Sequence, residues 1–283
     1  MSNSKTSVKN SIVALILSFI LSVLMLIACV GFIVNGFILS RDGVAGSLIE
    51  ANFHEGAYEE LRNTLEDRLI PTGLPNTVID DAVTTNNVYT DLNEYVISMF
   101  ANELPSLTRD SIVEILNYNI DDHLLELGLS REDIEDEVIN EVVGVVIDNY
   151  NDYITSPIIS YLARTSNLFN THLRHLIIFG IVGTLITAII AFLINRHSSH
   201  LAFRNFGFSF GTTALMLIAA PLALRIWGGY RRLSIGQEFV YNFVVAHIER
   251  TIFVFFIAGV IFFVLYLIFI IISARLYKKQ HQP

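Results

Sequence analysis

The sequence predicts an all-α fold: a four-helix transmembrane bundle with a helical extracytoplasmic domain inserted between spans 1 and 2. Three observations carry this reading. Of 283 residues, 53% are hydrophobic and only 16% charged, against about 25% charged in an average soluble domain. Four stretches, residues 12–39, 176–195, 205–224 and 251–274, contain no Asp, Glu, Lys or Arg. Each reaches the roughly 20 residues that a helix needs to cross about 30 Å of hydrocarbon. Between the first two lies a long acidic stretch with repeated apolar stripes. The apolar runs are continuous, not alternating, and an open strand would leave backbone groups unpaired in lipid. The chain therefore divides into a tail and span 1 (1–40), an acidic helical domain (41–174), and spans 2–4 with short loops and a basic tail (175–283).

Charge orients the chain. Lys5, Lys9, Arg196, Arg204, Arg275, Lys278 and Lys279 fall in the three segments on one side, which hold every lysine and no acid. The positive-inside rule makes that side cytoplasmic, with both termini inside. Residues 41–174 carry 25 of the 27 acidic residues against seven arginines, a formal charge of −18, and are placed outside. The expected location is the plasma membrane, multi-pass, with the lipid bilayer as the first partner.

The single cysteine, Cys29, lies in span 1. Leu26-Ile27-Ala28-Cys29 has the form of a lipobox, so Cys29 is the candidate lipidation residue. The apolar run continues ten residues past it, where a lipoprotein has a polar tether, and exceeds a signal h-region of about 7–15 residues. An uncleaved anchor is the expected state.

Within the acidic domain, Tyr58, Leu61, Leu65 and Leu69 space one apolar helical stripe over 59–69. Pro71-Thr72-Gly73-Leu74-Pro75 breaks it. A short helix follows near 78–83. Thr85 or Asn86 caps a helix carrying Val88, Leu92, Tyr95, Val96, Met99 and Phe100, which Pro105 closes. Residues 111–127 form the next helix, stopped by Gly128. Ser130 and Asp133 have capping-box spacing, predicting a longer helix from Ser130 with acids in its first turns. Val142 to Ile147 is β-branched and competes as a strand. Ser156-Pro157 reads as an N-cap with proline at the first position, leading into span 2. The domain's seven tyrosines read first as core and rim residues and second as a recognition surface.

In the spans, Gly207 and Gly211 form a Gly-x-x-x-Gly motif, and Gly180, Gly183 and Gly259 are further places where neighbouring helices approach. Packing within the chain is expected ahead of homodimerisation; the oligomeric state is open. Pro221 is expected to kink or end span 3. The loop 225–250 clusters Arg225, Arg231 and Arg232 beside Trp227 and Tyr230, the residue types that anchor at a membrane interface. These five are the interaction candidates, either with the acidic domain or with lipid phosphate. Ser234 and Gln237 match a capping box, predicting a short helix with Phe239, Val240, Phe243 and Val244 that docks on the acidic domain.

Chemical motifs are sparse. Asp148-Asn149-Tyr150-Asn151-Asp152 departs from an EF-hand loop at the third, sixth and twelfth positions, occupied by Tyr150, Tyr153 and Ile159. His54-Glu55 lacks the second histidine of a zincin. His172 and His175 are one turn apart, and with His247 they are the candidate metal ligands; His197 and His200 form a similar pair on the inner side. Neither a phosphate loop nor a nucleophile elbow is present, and no cofactor is indicated. The anionic domain excludes nucleic acid as an expected partner. No ionisable Asp, Glu, Lys or Arg lies within a span, whereas proton relays and many ion-coupled transporters place one there.

Three short stretches stand out: Thr72-Gly73-Leu74-Pro75, Ser160-Tyr161-Leu162-Ala163-Arg164 ahead of span 2, and Tyr230-Arg231-Arg232-Leu233 ahead of span 4. With them the layout resembles that of uncharacterised four-span membrane proteins of Gram-positive bacteria. The resemblance implies a bacterial plasma-membrane location and supplies no activity. The leading expectation is a non-enzymatic sensor, scaffold or accessory subunit that meets a membrane or cell-surface protein through its outer domain. A subunit of a transporter or channel comes second, and an outer-leaflet metal-dependent enzyme built on the histidines third.

Overall fold

The computed structural model describes residues 2–195 and 199–280; Arg196 and His197 of the predicted inner loop lie outside them. The described chain is helical, with nine α-helices and no strand among these residues. They are α1 (Ser2–Ile33), α2 (Arg41–Glu50), α3 (Phe53–Leu69), α4 (Thr85–Ala101), α5 (Arg109–Glu126), α6 (Asp136–Ile154), α7 (Pro157–Ile194), α8 (Ser199–Trp227) and α9 (Glu238–Gln280). They gather into two compact units. One comprises Met1–Ile38, Phe169–Leu233 and Ile248–Pro283; the other comprises Leu39–Leu168 and Ser234–His247.

The first unit holds the four helices long and apolar enough to cross a membrane: Ile12–Ile38, Pro157–Ile194, His200–Arg232 and Glu238–Lys279, the second and fourth running beyond it at their N-terminal ends. Small residues set its close approaches. A Cβ on Gly180 would lie 2.9 Å from the Ala28 backbone nitrogen, and one on Gly207 would lie 2.9 Å from Ile270 Cδ1. Gly211 meets Tyr266 in the same way, so the Gly-x-x-x-Gly surface of α8 packs on α9. Phe210 stacks on Phe269 with ring centroids 5.0 Å apart. Hydroxyls supply a polar ladder between α1 and α8. Ser209 Oγ donates to the Ser18 carbonyl at 2.8 Å, and Thr213 Oγ1 shares its proton between the Ser209 carbonyl of its own helix at 2.9 Å and the Ser22 carbonyl at 3.2 Å. Donor and acceptor pairs are each four residues apart, one turn on each helix. Cys29 is half-buried within α1, which continues past it and ends in a π-helical turn, Val34–Ile38. Pro221 does not end α8, which runs on to Trp227.

The second unit has its own core. The stripe Leu61, Leu65 and Leu69 of α3 meets Val88, Leu92 and Val96 of α4, Ile112, Leu116 and Ile120 of α5, and Ile139, Val143 and Val146 of α6. The β-branched run from Val142 to Ile147 is helical, because its buried positions recur at the helical period and a strand there would find no partner. Helix α2 was not anticipated; its N-cap, Ser40, accepts from the Gly43 amide at 3.0 Å.

Two predicted helix starts are corrected, and a third keeps its place without its cap bond. The Ser130–Asp133 box closes on a single 3₁₀ turn, Arg131–Asp133. Asp133 Oδ2 accepts from the Ser130 amide at 2.7 Å and from its hydroxyl at 3.0 Å, while Ile134 turns extended and α6 begins at Asp136. Asp133 is held below the usual carboxylate range by those two donors, the amide first. Helix α7 begins at Pro157 as expected, but the Ser156 hydroxyl makes no cap bond and is buried without a hydrogen-bond partner among the described residues. The Ser234–Gln237 box gives no helix start: α9 opens at Glu238, with the Gln237 carbonyl accepting from the Tyr241 amide. From there Phe239 and Phe243 enter the core of the second unit. Phe53 meets them edge-on, with centroids 4.8 and 5.9 Å away. Residues 234–247, which the sequence groups with the membrane half, therefore complete the helical unit.

Candidate functional site

Within the helical unit, α5 is amphipathic in an uneven way. Ile112, Leu116, Ile120 and Leu124 are buried. On the opposite face, Glu114, Tyr118, Asp122 and Leu125 recur at helical spacing and are all exposed. Tyr118 is 71% exposed and Leu125 69%. Leu127 and Leu129, just beyond the helix end, are exposed as well. Large apolar side chains alternate here with carboxylates where a solvated helix normally carries only polar groups.

Three anchors hold this face. Asp91 of α4 is buried, and its carboxylate receives the Thr108 amide at 3.1 Å on both oxygens. Its Oδ2 also accepts from the Thr108 hydroxyl and the Tyr150 hydroxyl, each at 2.7 Å. Thr108 immediately precedes α5, so the carboxylate sits at the positive end of that helix. Those donors make a buried anion tolerable without a paired cation. The Tyr150 hydroxyl is pushed far above the usual phenol range, first by burial and then by its bond to Asp91. At mid-helix, Asn119 Nδ2 donates to the carbonyls of Val78 and Asp80 at 3.0 and 2.9 Å. Toward the C-terminal end, Arg131 donates to Asp121 at 2.9 Å and to Asn117 at 3.0 Å. The exposed face is thus presented by a helix fixed along its length.

The sequence-predicted histidines fall in different units, His172 and His175 in the first and His247 in the second. His172 and His175 are exposed on α7. His247 is buried, with Nδ1 2.9 Å from Ser47 Oγ and its ring stacked on Phe243. Ser47 Oγ also lies 2.9 Å from the Gly43 carbonyl and donates to it. With its one proton so used, Ser47 accepts from His247 Nδ1–H. Ser47 is fully buried, so the pair links α2 to the start of α9 and is not presented to a substrate. Among the described residues no three His, Cys, Asp or Glu side chains are disposed to hold a metal ion.

Of the loop candidates, Arg231 pairs with Glu249 at 2.6 Å, and the Tyr230 hydroxyl reaches the same oxygen at 3.3 Å. Trp227, Arg225 and Arg232 are exposed. Two features were missed in the sequence. Asp91 shares the apolar stripe Val88, Leu92, Tyr95, and an acid in that position signals a buried carboxylate. Ser209 and Thr213 repeat at one-turn spacing inside a span, the hydroxyl pattern of interhelical hydrogen bonds; the Ser18 and Ser22 hydroxyls bond within their own helix and only their carbonyls take part. The tyrosines divide: Tyr95 and Tyr150 are core, Tyr118 and Tyr161 are exposed. No protein-family model, curated protein or solved structure matches the chain.

Proposed function

We propose that this is a non-enzymatic plasma-membrane protein, a sensor, scaffold or accessory subunit. Its helical unit is extracytoplasmic and engages a membrane or cell-surface partner through the outer face of α5. The observation that carries the reading is the pair Tyr118 and Leu125, exposed among Glu114 and Asp122 on a helix anchored along its length. Exposed aromatic and aliphatic side chains on a rigid support lose little entropy on binding, and aromatics are the residue type that most often anchors an interface. The surrounding carboxylates, in a segment of formal charge −18, favour a partner segment that is apolar and basic. The extracytoplasmic placement is supported by the lysines, all four of which lie in the two terminal tails.

The test is photocrosslinking in native membranes from position 114 or 122, on the same exposed face, followed by mass spectrometry. One specific partner is expected, lost in a Tyr118→Ser, Leu125→Ser double variant that retains its helicity. Recovery of the same partner from that variant, or of none under several growth conditions, would sink the proposal. Topology is tested separately: a cysteine at position 118 in a Cys29→Ala background should react with an impermeant maleimide added outside intact cells.

A further inference from the structure

Helix α8 ends in Leu224-Arg225-Ile226-Trp227, and the chain then turns through Gly228 and Gly229. Gly228 has φ +61°, and a Cβ on Gly229 would lie 2.3 Å from Trp227 Cη2. Only glycine at 229 lets the indole rest there. The ring is thus placed by the turn, yet Trp227 remains 70% exposed. On the membrane side of it lies a cleft of about 610 Å³ formed by α1, α8 and α9. Val30, Met216, Pro221, Leu224 and Phe255 are among its walls, and Thr251 carries the one hydroxyl in its lining. Pro221 and Arg225 are four residues apart and share a face of α8. Arg225 therefore stands about 6 Å beyond Pro221 along the helix axis.

The charges at this edge are unequal. Arg231 is paired with Glu249. Arg225 and Arg232 are exposed, and neither has an ion pair among the described residues. An apolar cleft alone cannot choose between lipids, since acyl chains are as apolar as the side chains that line it. Selection has to come from the charged end, where a guanidinium matches a phosphate with two parallel hydrogen bonds. An anionic headgroup brings no cation of its own to oppose the arginines, whereas a choline headgroup does. We propose that this cleft is an anionic-phospholipid site: one acyl chain lies along it, the phosphate is taken by Arg225 with Arg232, and Trp227 marks the glycerol level.

Trp227 is the chain's only tryptophan, so its fluorescence reports on this place alone. Full-length protein is reconstituted with brominated phosphatidylglycerol or brominated phosphatidylcholine at equal mole fraction, and quenching is compared. Phosphatidylglycerol should quench more, with a relative affinity of about fivefold per arginine. Arg225→Gln should lower that preference about fivefold, and adding Arg232→Gln should bring it near unity. Arg204→Gln, at the other end of α8, should leave it unchanged. Ala220→Phe fills the cleft without touching the arginines and should also reduce the preference. Equal quenching by both lipids in the unaltered protein, or a preference that survives Arg225→Gln, would overturn the proposal. A preference that survives Ala220→Phe would reduce the site to surface charge and overturn the cleft.

Discussion

At the scale of single residues, Asp91 is a buried carboxylate that ties α4 to the start of α5 and to α6. Its carboxylate satisfies Thr108 twice and Tyr150 once inside the core. Asp91→Ala leaves the Tyr150 hydroxyl buried and unpaired, at about 1–3 kcal/mol for an unsatisfied group, while the donors of the exposed Thr108 can turn to water. A loss of about 1–3 kcal/mol is expected in denaturant unfolding of the purified protein, with Asp91→Asn milder. Tyr150 adds a pH dependence. Its folded value is raised above the ordinary 10.0, so its contribution is fully present below that pH and is lost as pH climbs past it. Stability should fall by up to about 1.4 kcal/mol per pH unit above 10. Tyr150→Phe should flatten that limb; an unchanged limb would place the titration elsewhere. Asp91 was legible as an acid on an apolar stripe. Its partners were not, because Tyr150 lies 59 residues away and no local pattern pairs them.

At the scale of elements, periodicity located most helices and chemistry misplaced some of their ends. The stripes of α3, α4 and α5 follow from apolar spacing, since only a helix brings those residues to one side. The box at Ser130 failed as a helix start because its bonds are complete within one 3₁₀ turn. Ile134 is then free to turn extended before the acids Asp136 and Glu137 open α6. Between spans, glycine and hydroxyl positions decide the packing. Gly180→Leu should separate α7 from α1, because its Cβ would meet the Ala28 backbone rather than a side-chain tip. Destabilisation of about 1–3 kcal/mol is expected in detergent unfolding. Ser209→Ala with Thr213→Ala removes one α8-to-α1 bond and one shared with α8 itself and should cost about 0.6–1 kcal/mol in total, interhelical bonds in membranes averaging near 0.6 each. A double variant as stable as the parent would show that the ladder sets register without adding stability.

At the scale of the whole molecule, the chain divides into two units, and the boundary along the sequence is not where composition changes. Phe239 and Phe243 lie next to a span in sequence but belong to the core around Phe53. Phe239→Ala should therefore destabilise the helical unit by about 3–5 kcal/mol and raise its protease sensitivity, while the four spans remain inserted. Unchanged protease resistance would argue that the phenylalanine contact is dispensable. Composition by itself determined the four spans, the helical class and the segregation of charge, because bilayer thickness and backbone hydrogen bonding impose those on any chain with such runs. The docking of the helix with Phe239 and Phe243 on the acidic domain was legible in the sequence. Tertiary structure alone decided that it enters the core beside Phe53, that His247 binds Ser47, and that one face of α5 and one cleft beside Arg225 stay uncovered. Each is a meeting of residues far apart in the chain. Side-chain shape and the need to satisfy buried donors govern such meetings, and neither leaves a period in the sequence.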